Sequence, residues 1–317
     1  MSEAAAAMTS TRTAPAPARP HRRAARWYER VIEVGLRGCG LLSIAITIGI
    51  VVVLANESSA FFAHVSLTEF LGSTKWTPLI GEAPHYGVWP LLAATITTSV
   101  IAMVVATPLG ILAAIYLSEY AGARTRRVIK PALELLAGVP TIVFGYFAIT
   151  VLTPSLAGWV PGLAGGNMLS AGIMMGVMIV PLVASLSEDA IYAVPASLRE
   201  ASYGLGGGKL ETIRRVVVPS AWSGIASAMT LAVSRAIGET MIVAIAAGNQ
   251  PSFTFDAREP GQTATAFIVD IAKGETPHGS VAYQTIFAVA AMLFVMTLTM
   301  NMIAFRLSRR LRAQSRA

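Results

Sequence analysis

Six apolar runs divide the chain, at about 34–55, 88–118, 131–153, 168–187, 223–247 and 281–305. A helix crosses a bilayer with roughly 20 apolar residues, so each run is long enough for one crossing. The second run, 31 residues, is long for one helix and short for two. Positive charge decides its reading. With one crossing per run, nineteen Lys and Arg fall on one face, in the N-terminal tail, 119–130, 188–222 and the C-terminal tail. Three, Lys75, Arg258 and Lys273, fall on the other. Cytoplasmic loops carry such an excess, which places both termini in the cytoplasm. Splitting the second run would put "ARTRRVIK" (123–130) outside and ruin the asymmetry. It is read as one helix, tilted or bent near Pro108. The pattern therefore predicts an all-α polytopic membrane protein with six transmembrane helices.

Around these runs the chain divides into a disordered basic cytoplasmic tail (1–30), a first helix with its outer loop (31–87), a helical core (88–306) and a short basic tail (307–317). The end of the first tail, "HRRAARWYER", is read as a stop for the first helix; the alternative is that it binds anionic headgroups, with Trp27 and Tyr28 at the interface. The outer loops 56–87 and 248–280 show no clear strand or helix pattern, and each carries net charge −2. About thirty residues is long for a plain connector, so they suit an external partner. No inverted repeat is visible, which argues against a secondary transporter.

Composition agrees with a membrane protein. The chain of 317 residues is 54% hydrophobic and 13% charged, with mean hydropathy +0.62, whereas a soluble domain carries about a quarter charged residues. Cys39 is the single cysteine, so no intrachain disulfide forms, and the four histidines lack metal-ligand spacing. Net charge +7 would suit nucleic acid, but it is concentrated on the cytoplasmic side, where the membrane accounts for it. No catalytic cluster is present: there is no His/Cys/Asp group, no Ser–His pair and no paired carboxylates within a run.

The cytoplasmic segment between runs four and five reads "SEDAIYAVPASLREASYGLGGGKLETIRRVVVPSAW". A short helix is expected after Pro195, with Ser197 and Glu200 spaced as a capping box, and it breaks at "GLGGG". A second, basic helix is expected over 209–217, ending before Pro219. "GLGGGKL" is not a nucleotide loop: Leu210 follows Gly208-Lys209, and Tyr203 stands where a P-loop needs its first Gly. The chain itself does not hydrolyse ATP.

"EASYGLGGGKLETIRRVVVP" resembles the E-A-A-x3-G-x9-I-x-L-P signature of binding-protein-dependent ABC permeases. Glu200, Ala201, Gly206 and Pro219 match, while Ser202, Val216 and Val218 depart from it by small changes of shape. The resemblance implies a type I importer permease fold over 88–306 and a coupling loop (188–222) that docks in a groove of a cytoplasmic ATPase. "FLGSTKWTP" (70–78), "LLAGVPTIVFGYFAITVLTP" (135–154) and "SRAIGETMIVAIAAGNQ" (234–250) resemble the PstC-type permeases of phosphate importers. That implies a second, PstA-type permease as partner, a dimeric ATPase that uses the ATP, and an extracytoplasmic phosphate-binding protein at the outer loops. No cofactor is implied for this chain. Other readings are a sulfate or molybdate permease, the PstA-type role, or a stand-alone channel or ion-coupled carrier, although a channel has no use for a coupling loop.

Arg235 and Glu239 are the only charges in 223–247. A charge at the middle of a span costs about 2.5–3.5 kcal/mol on insertion scales, so it marks a functional or paired site. At i, i+4 on one helix the two are expected to pair. A stripe of small residues, Gly224, Ala228, Ala232, Ala236, Thr240 and Ala244, packs the neighbouring face into protein. The pair either locks the bundle or lines the transport path, where an arginine fork suits phosphate oxygens, and the resemblance implies a role in transport.

Overall fold

The computed structural model describes residues 22–78, 84–274, 276, 277 and 279–314. Thirteen α-helices follow in order: α1 (Arg22–Phe62), α2 (Leu67–Gly72), α3 (Trp89–Ile115), α4 (Ala123–Ala137), α5 (Thr141–Phe147), α6 (Thr153–Ala157), α7 (Met168–Tyr192), α8 (Ala196–Gly204), α9 (Lys209–Thr212), α10 (Val218–Ile237), α11 (Met241–Ala246), α12 (Ala264–Lys273) and α13 (Val281–Gln314). Wider π-helical turns extend α3 through Tyr120, join α5 to α6 and join α9 to α10. Among the described residues there is no strand, only two isolated bridges, Trp76 to Tyr86 and Gly248 to Gly261.

Among the described residues, those up to Val53 form one unit and those from Leu54 onward a second, which holds both the coupling segment and the Arg235 region. In the first unit, the apolar side chains from Val31 to Val53 are exposed, and Arg37 is neutralised one turn away by Glu33 at 2.6 Å. The predicted N-terminal tail is helical from Arg22 onward; its residues 1–21 lie outside the described ones. Likewise α13 carries the helix into the predicted C-terminal tail as far as Gln314.

Five stretches are long and apolar enough to cross a membrane, and a bent pair supplies a sixth. The second run is one helix, as its charge asymmetry requires, with Pro108 inside it. The third is not one straight helix. α4 and the α5–α6 stretch meet at 86°, because Gly138 ends α4 and Pro140 begins α5. Proline disfavours the helical conformation of the residue before it, here Val139. The stretch 141–157 is left to cross, about 25 Å at 1.5 Å per residue. α4 turns aside, and none of its residues is buried.

Close helix packing is built from missing side chains. A Cβ at Gly172 would lie 2.7 Å from Ile101 Cβ, one at Gly176 2.7 Å from Val105 Cβ, and one at Gly110 2.6 Å from Val183 Cβ. These glycines let α3 and α7 approach as small residues do between membrane helices. On α10, Gly224 meets Ala190 of α7, and Ala228, Ala232 and Ala236 are buried. The predicted stripe thus packs inward over α10, and it ends with that helix at Ile237.

The outer loops are more structured than their sequences suggest. Ser66 caps α2 and Thr263 caps α12 with their hydroxyls. Between them Phe61, Phe70, Trp76, Tyr86, Val88, Leu91 and Phe267 form a buried cluster, with the Trp76 and Phe267 rings edge to face at 4.9 Å.

Candidate functional site

The helix expected to carry Arg235 and Glu239 together is broken between them. α10 stops at Ile237 and Gly238 caps it, so Glu239 belongs to the turn into α11. Its carboxylate accepts from the backbone N–H groups of Met241 (3.1 Å) and Ile242 (3.3 Å). A helix N-terminus favours such an acceptor, because its first N–H groups lack helical partners. Glu239 is buried, 9% exposed, and its carbonyl accepts from Thr265 Oγ1 at 2.7 Å. The expected i, i+4 pairing is therefore corrected: Glu239 is an interior cap.

Arg235 is left without a carboxylate. Its Nε and Nη2 lie 3.4 and 3.3 Å from Met178 Sδ, a weak acceptor, and among the described residues it has no ion pair. The residue is exposed on this chain, while Ala236 beside it is buried. An exposed cation in the last turn of an apolar helix, where the run 223–247 is broken, needs water, anion or protein beside it rather than lipid. A cavity of about 250 Å³ opens against it, lined by Lys130 and Glu134 of α4, Met178, Ser185 and Glu188 of α7, and Arg235.

The far end of that cavity holds charges that sequence reading missed. Glu188 is 1% exposed. Arg126 Nη2 lies 2.5 Å from its Oε1 and Lys130 Nζ 3.2 Å from its Oε2, ion-pair distances whose angles fall outside hydrogen-bond geometry. Lys130 also reaches Asp189 at 3.7 Å, and the Arg126 guanidinium covers the Tyr192 ring at 4.9 Å. The residues come from helices distant in sequence, so no local spacing signals them.

In the coupling segment, α8 starts after Pro195 as expected. The capping box does not form: Pro195 occupies the cap position, which puts Ser197 inside the helix, and no side chain caps α8. Gly206 takes φ +86°, with nothing within 4 Å of a Cβ there. Its glycine requirement is one of backbone handedness, not crowding. The turn is closed by Gly206 N–H to Tyr203 O at 2.9 Å and Gly207 N–H to Ser202 O at 3.0 Å. Ser202 and Thr212 hydroxyls join its two arms at 2.8 Å. Glu200, Ala201, Gly206 and Pro219 are all exposed, on a surface with Leu205 and Leu210.

The basic helix does not stop before Pro219. It runs through the π-helical turn 213–217 into α10. Such a turn widens the backbone and accommodates a proline that a regular helix would exclude.

Beside the signature, Arg199 was missed. Its guanidinium donates to Glu119 Oε1 (2.8 and 3.2 Å), to Val194 O (2.6 Å) and to Ile191 O (2.9 Å). One side chain thus ties α8 to the end of the α3 stretch and the last turn of α7. On the outer side, Asn249, Gln262 and Asp270 form a hydrogen-bonded group. In the loop beyond, the hydrogen bonds from Arg258 hold the Asp256 carboxyl down at about 2.

Residues 106–313 match the family described as binding-protein-dependent transport system inner membrane component. The chain is 35% identical to the probable ABC transporter permease protein YqgH of Bacillus subtilis, over 82% of this chain and 84% of that one. It is 33% identical to the phosphate transport system permease protein PstC of Mesorhizobium japonicum, over 78% and 80%. With PstC 2 of Mycobacterium tuberculosis the identity is 31%, over 75% and 79%. Among solved structures, the fold matches a bacterial alginate ABC transporter in complex with an alginate-bound periplasmic protein, with TM-score 0.62, 16% identity, and coverage of 90% and 98%. It also matches the inward-facing MetNI methionine ABC transporter, with TM-score 0.54, 20% identity, and coverage of 71% and 94%.

Proposed function

Because the chain belongs to the family of binding-protein-dependent transport system inner membrane components, we propose that it is a permease subunit of an ATP-driven inorganic phosphate importer in the cell membrane. It forms half of the translocation path, a second permease of the PstA type forms the other half, and a dimeric cytoplasmic ATPase uses the ATP. The chain has transport rather than catalysis as its work and binds no cofactor of its own. Relatives named as phosphate permeases, about 30–33% identical over three quarters of the chain, support the choice of cargo.

The observation that carries the reading is Arg235, an exposed cation with no carboxylate partner among the described residues, opening on a cavity from the last turn of α10. A planar guanidinium offers paired donors to phosphate oxygens and stays charged at any working pH. Because its partner is a thioether, an arriving anion has no strong contact to displace. An extracytoplasmic phosphate-binding protein meets the outer loops, and the exposed turn around Gly206 meets the ATPase.

The test is labelled-phosphate uptake by the assembled complex in proteoliposomes. Arg235→Gln is expected to leave assembly and basal ATP hydrolysis intact and to lower phosphate uptake at least a hundredfold, the loss of an interaction of roughly 3 kcal/mol at the barrier. Uptake of sulfate or molybdate instead of phosphate by the unaltered complex would move the chain to another oxyanion. Normal phosphate uptake by Arg235→Gln would take the path away from α10.

A further inference from the structure

Both ends of the cavity beside Arg235 carry cations. Along α7 its lining residues Met178, Ser185 and Glu188 mark one face, and from Met178 to Glu188 that face extends about 15 Å at 1.5 Å per residue. Arg235 stands against Met178 at one end. Lys130 stands against Glu188 at the other. Lys130 also lines a second, open cavity of about 580 Å³ together with Arg126 and Arg127. Lys130 therefore stands where an inner chamber meets a vestibule rich in arginine, on the face that the charge asymmetry assigns to the cytoplasm.

The two cations at Glu188 differ in how firmly they are held. Arg126 makes the close 2.5 Å contact and is braced over Tyr192. Lys130 divides itself between Glu188 at 3.2 Å and Asp189 at 3.7 Å. Its ammonium is a point charge on a flexible stem, without the guanidinium's preference for one geometry. If Lys130 swings away, Arg126 still neutralises the buried Glu188 carboxylate, so the move strands no buried charge. Glu134, exposed one turn from Lys130 and lining both cavities, repels an anion that lingers.

We propose that Lys130 is a second anion site on the cytoplasmic side of the path, receiving the oxyanion from Arg235 and releasing it into the vestibule, with Glu188 as its counter-ion when the path is empty. The proposal rests on the reading of the chain as a phosphate permease. In the empty state Lys130 closes the inner chamber by pairing with Glu188. An oxyanion moving along the cavity draws the ammonium to itself, and solvent and the nearby carboxylates then return Lys130 to Glu188. No covalent step is involved; one ion pair is exchanged for another.

The test uses the full complex in proteoliposomes, with inorganic phosphate as the probe and four variants: Lys130→Gln, Lys130→Arg, Glu188→Gln, and the double change of Lys130 and Glu188 to Gln. Lys130→Gln is expected to lower the maximal uptake rate about tenfold, the effect of one moderate charge interaction on a barrier. The phosphate concentration giving half-maximal uptake should stay unchanged, since capture occurs on the other side of the membrane. Lys130→Arg should recover most of the rate. Glu188→Gln, which removes the counter-ion that resets Lys130, should also slow uptake. The double variant removes the ammonium together with its counter-ion, leaves Arg126 partly exposed over Tyr192, and should remain slow. Recovery of uptake in the double variant would show that Lys130 serves only to neutralise Glu188, and would overturn the proposal. So would a wild-type rate for Lys130→Gln, or failure of Lys130→Arg to recover. Absence of phosphate uptake by the unaltered complex would instead overturn the phosphate reading on which the proposal rests.

Discussion

The outer and cytoplasmic ends of the Leu54–Ala317 unit are held by different forces. At the outer end, Phe61, Phe62, Phe70, Trp76 and Phe267 interlock edge to face, with centroids 4.9–6.3 Å apart. The polar groups there make mostly neutral hydrogen bonds, such as Ala264 N–H to Thr95 Oγ1 at 3.1 Å. At the cytoplasmic end the ties are ionic: Glu119 to Arg199, Glu188 to Arg126 and Lys130, and Lys209 over the Tyr120 ring at 4.4 Å. Packed rings have to be unpacked before they move, because interiors are close-packed and a displaced ring leaves a void. Ion pairs can exchange partners with little net change, since desolvation offsets much of their Coulomb attraction. The outer end is thus built to stay in one arrangement. The cytoplasmic end is built to change partners when an anion or an ATPase arrives.

The sharpest way to break this comparison is at Trp76, 1% exposed and set against Phe70 and Phe267. Trp76→Ala is expected to cost about 3–5 kcal/mol, read as a lowered thermal midpoint of the purified protein. Its Nε1 has no hydrogen-bond partner, so Trp76→Phe should cost much less than Trp76→Ala. An unchanged midpoint for Trp76→Ala would mean that the outer end is not held by packing. Next in size is Arg199→Ala. Removing the clasp leaves Glu119, whose side chain is 8% exposed, without its cation. A cost of about 1–3 kcal/mol is expected from the unpaired polar groups, together with a loss of phosphate-stimulated ATP hydrolysis at normal ATPase binding. Stimulation that survives Arg199→Ala would show that the clasp transmits nothing.

How far these features were legible depends on their range along the chain. The helices at the second, fourth and sixth runs were readable because apolar length and charge asymmetry are summed over many residues. The bend in the third run was not legible, because "GVP" (138–140) is a three-residue break inside apolar surroundings, and length alone averages over it. The Arg235–Glu239 pairing failed for the same reason: i, i+4 spacing presumes one helix, and Gly238 ends it. Gly206 was legible because only glycine adopts its backbone conformation without strain. Arg199 with Glu119, 80 residues apart, and Glu188 with Arg126 and Lys130 were not legible at all. Nothing local distinguishes a side chain that meets a distant partner from one in solvent. The aromatic cluster was hidden in the same way, its rings scattered over three helices and the connection between α2 and α3.

The smallest expected effect is at Glu200, and it sharpens the comparison within one helix. Arg199 and Glu200 are adjacent on α8, so their side chains diverge by about 100° around its axis. Arg199 turns inward to Glu119 and the end of α7. Glu200 is exposed, and because Pro195 takes the cap position its carboxylate does not serve as a cap. The energy of a lost cap, about 0.5–2 kcal/mol, is therefore not at stake. Glu200→Ala should change stability by less than about 0.5 kcal/mol, as surface substitutions do. Any effect on transport should then appear as weaker ATPase binding, with stimulated hydrolysis restored at higher ATPase concentration. Arg199→Ala should show the reverse, with normal binding and hydrolysis that added ATPase does not restore. If Glu200→Ala lowers the thermal midpoint as far as Arg199→Ala does, then α8 is held to its own bundle by both faces. No face of the helix would then be left free for a partner.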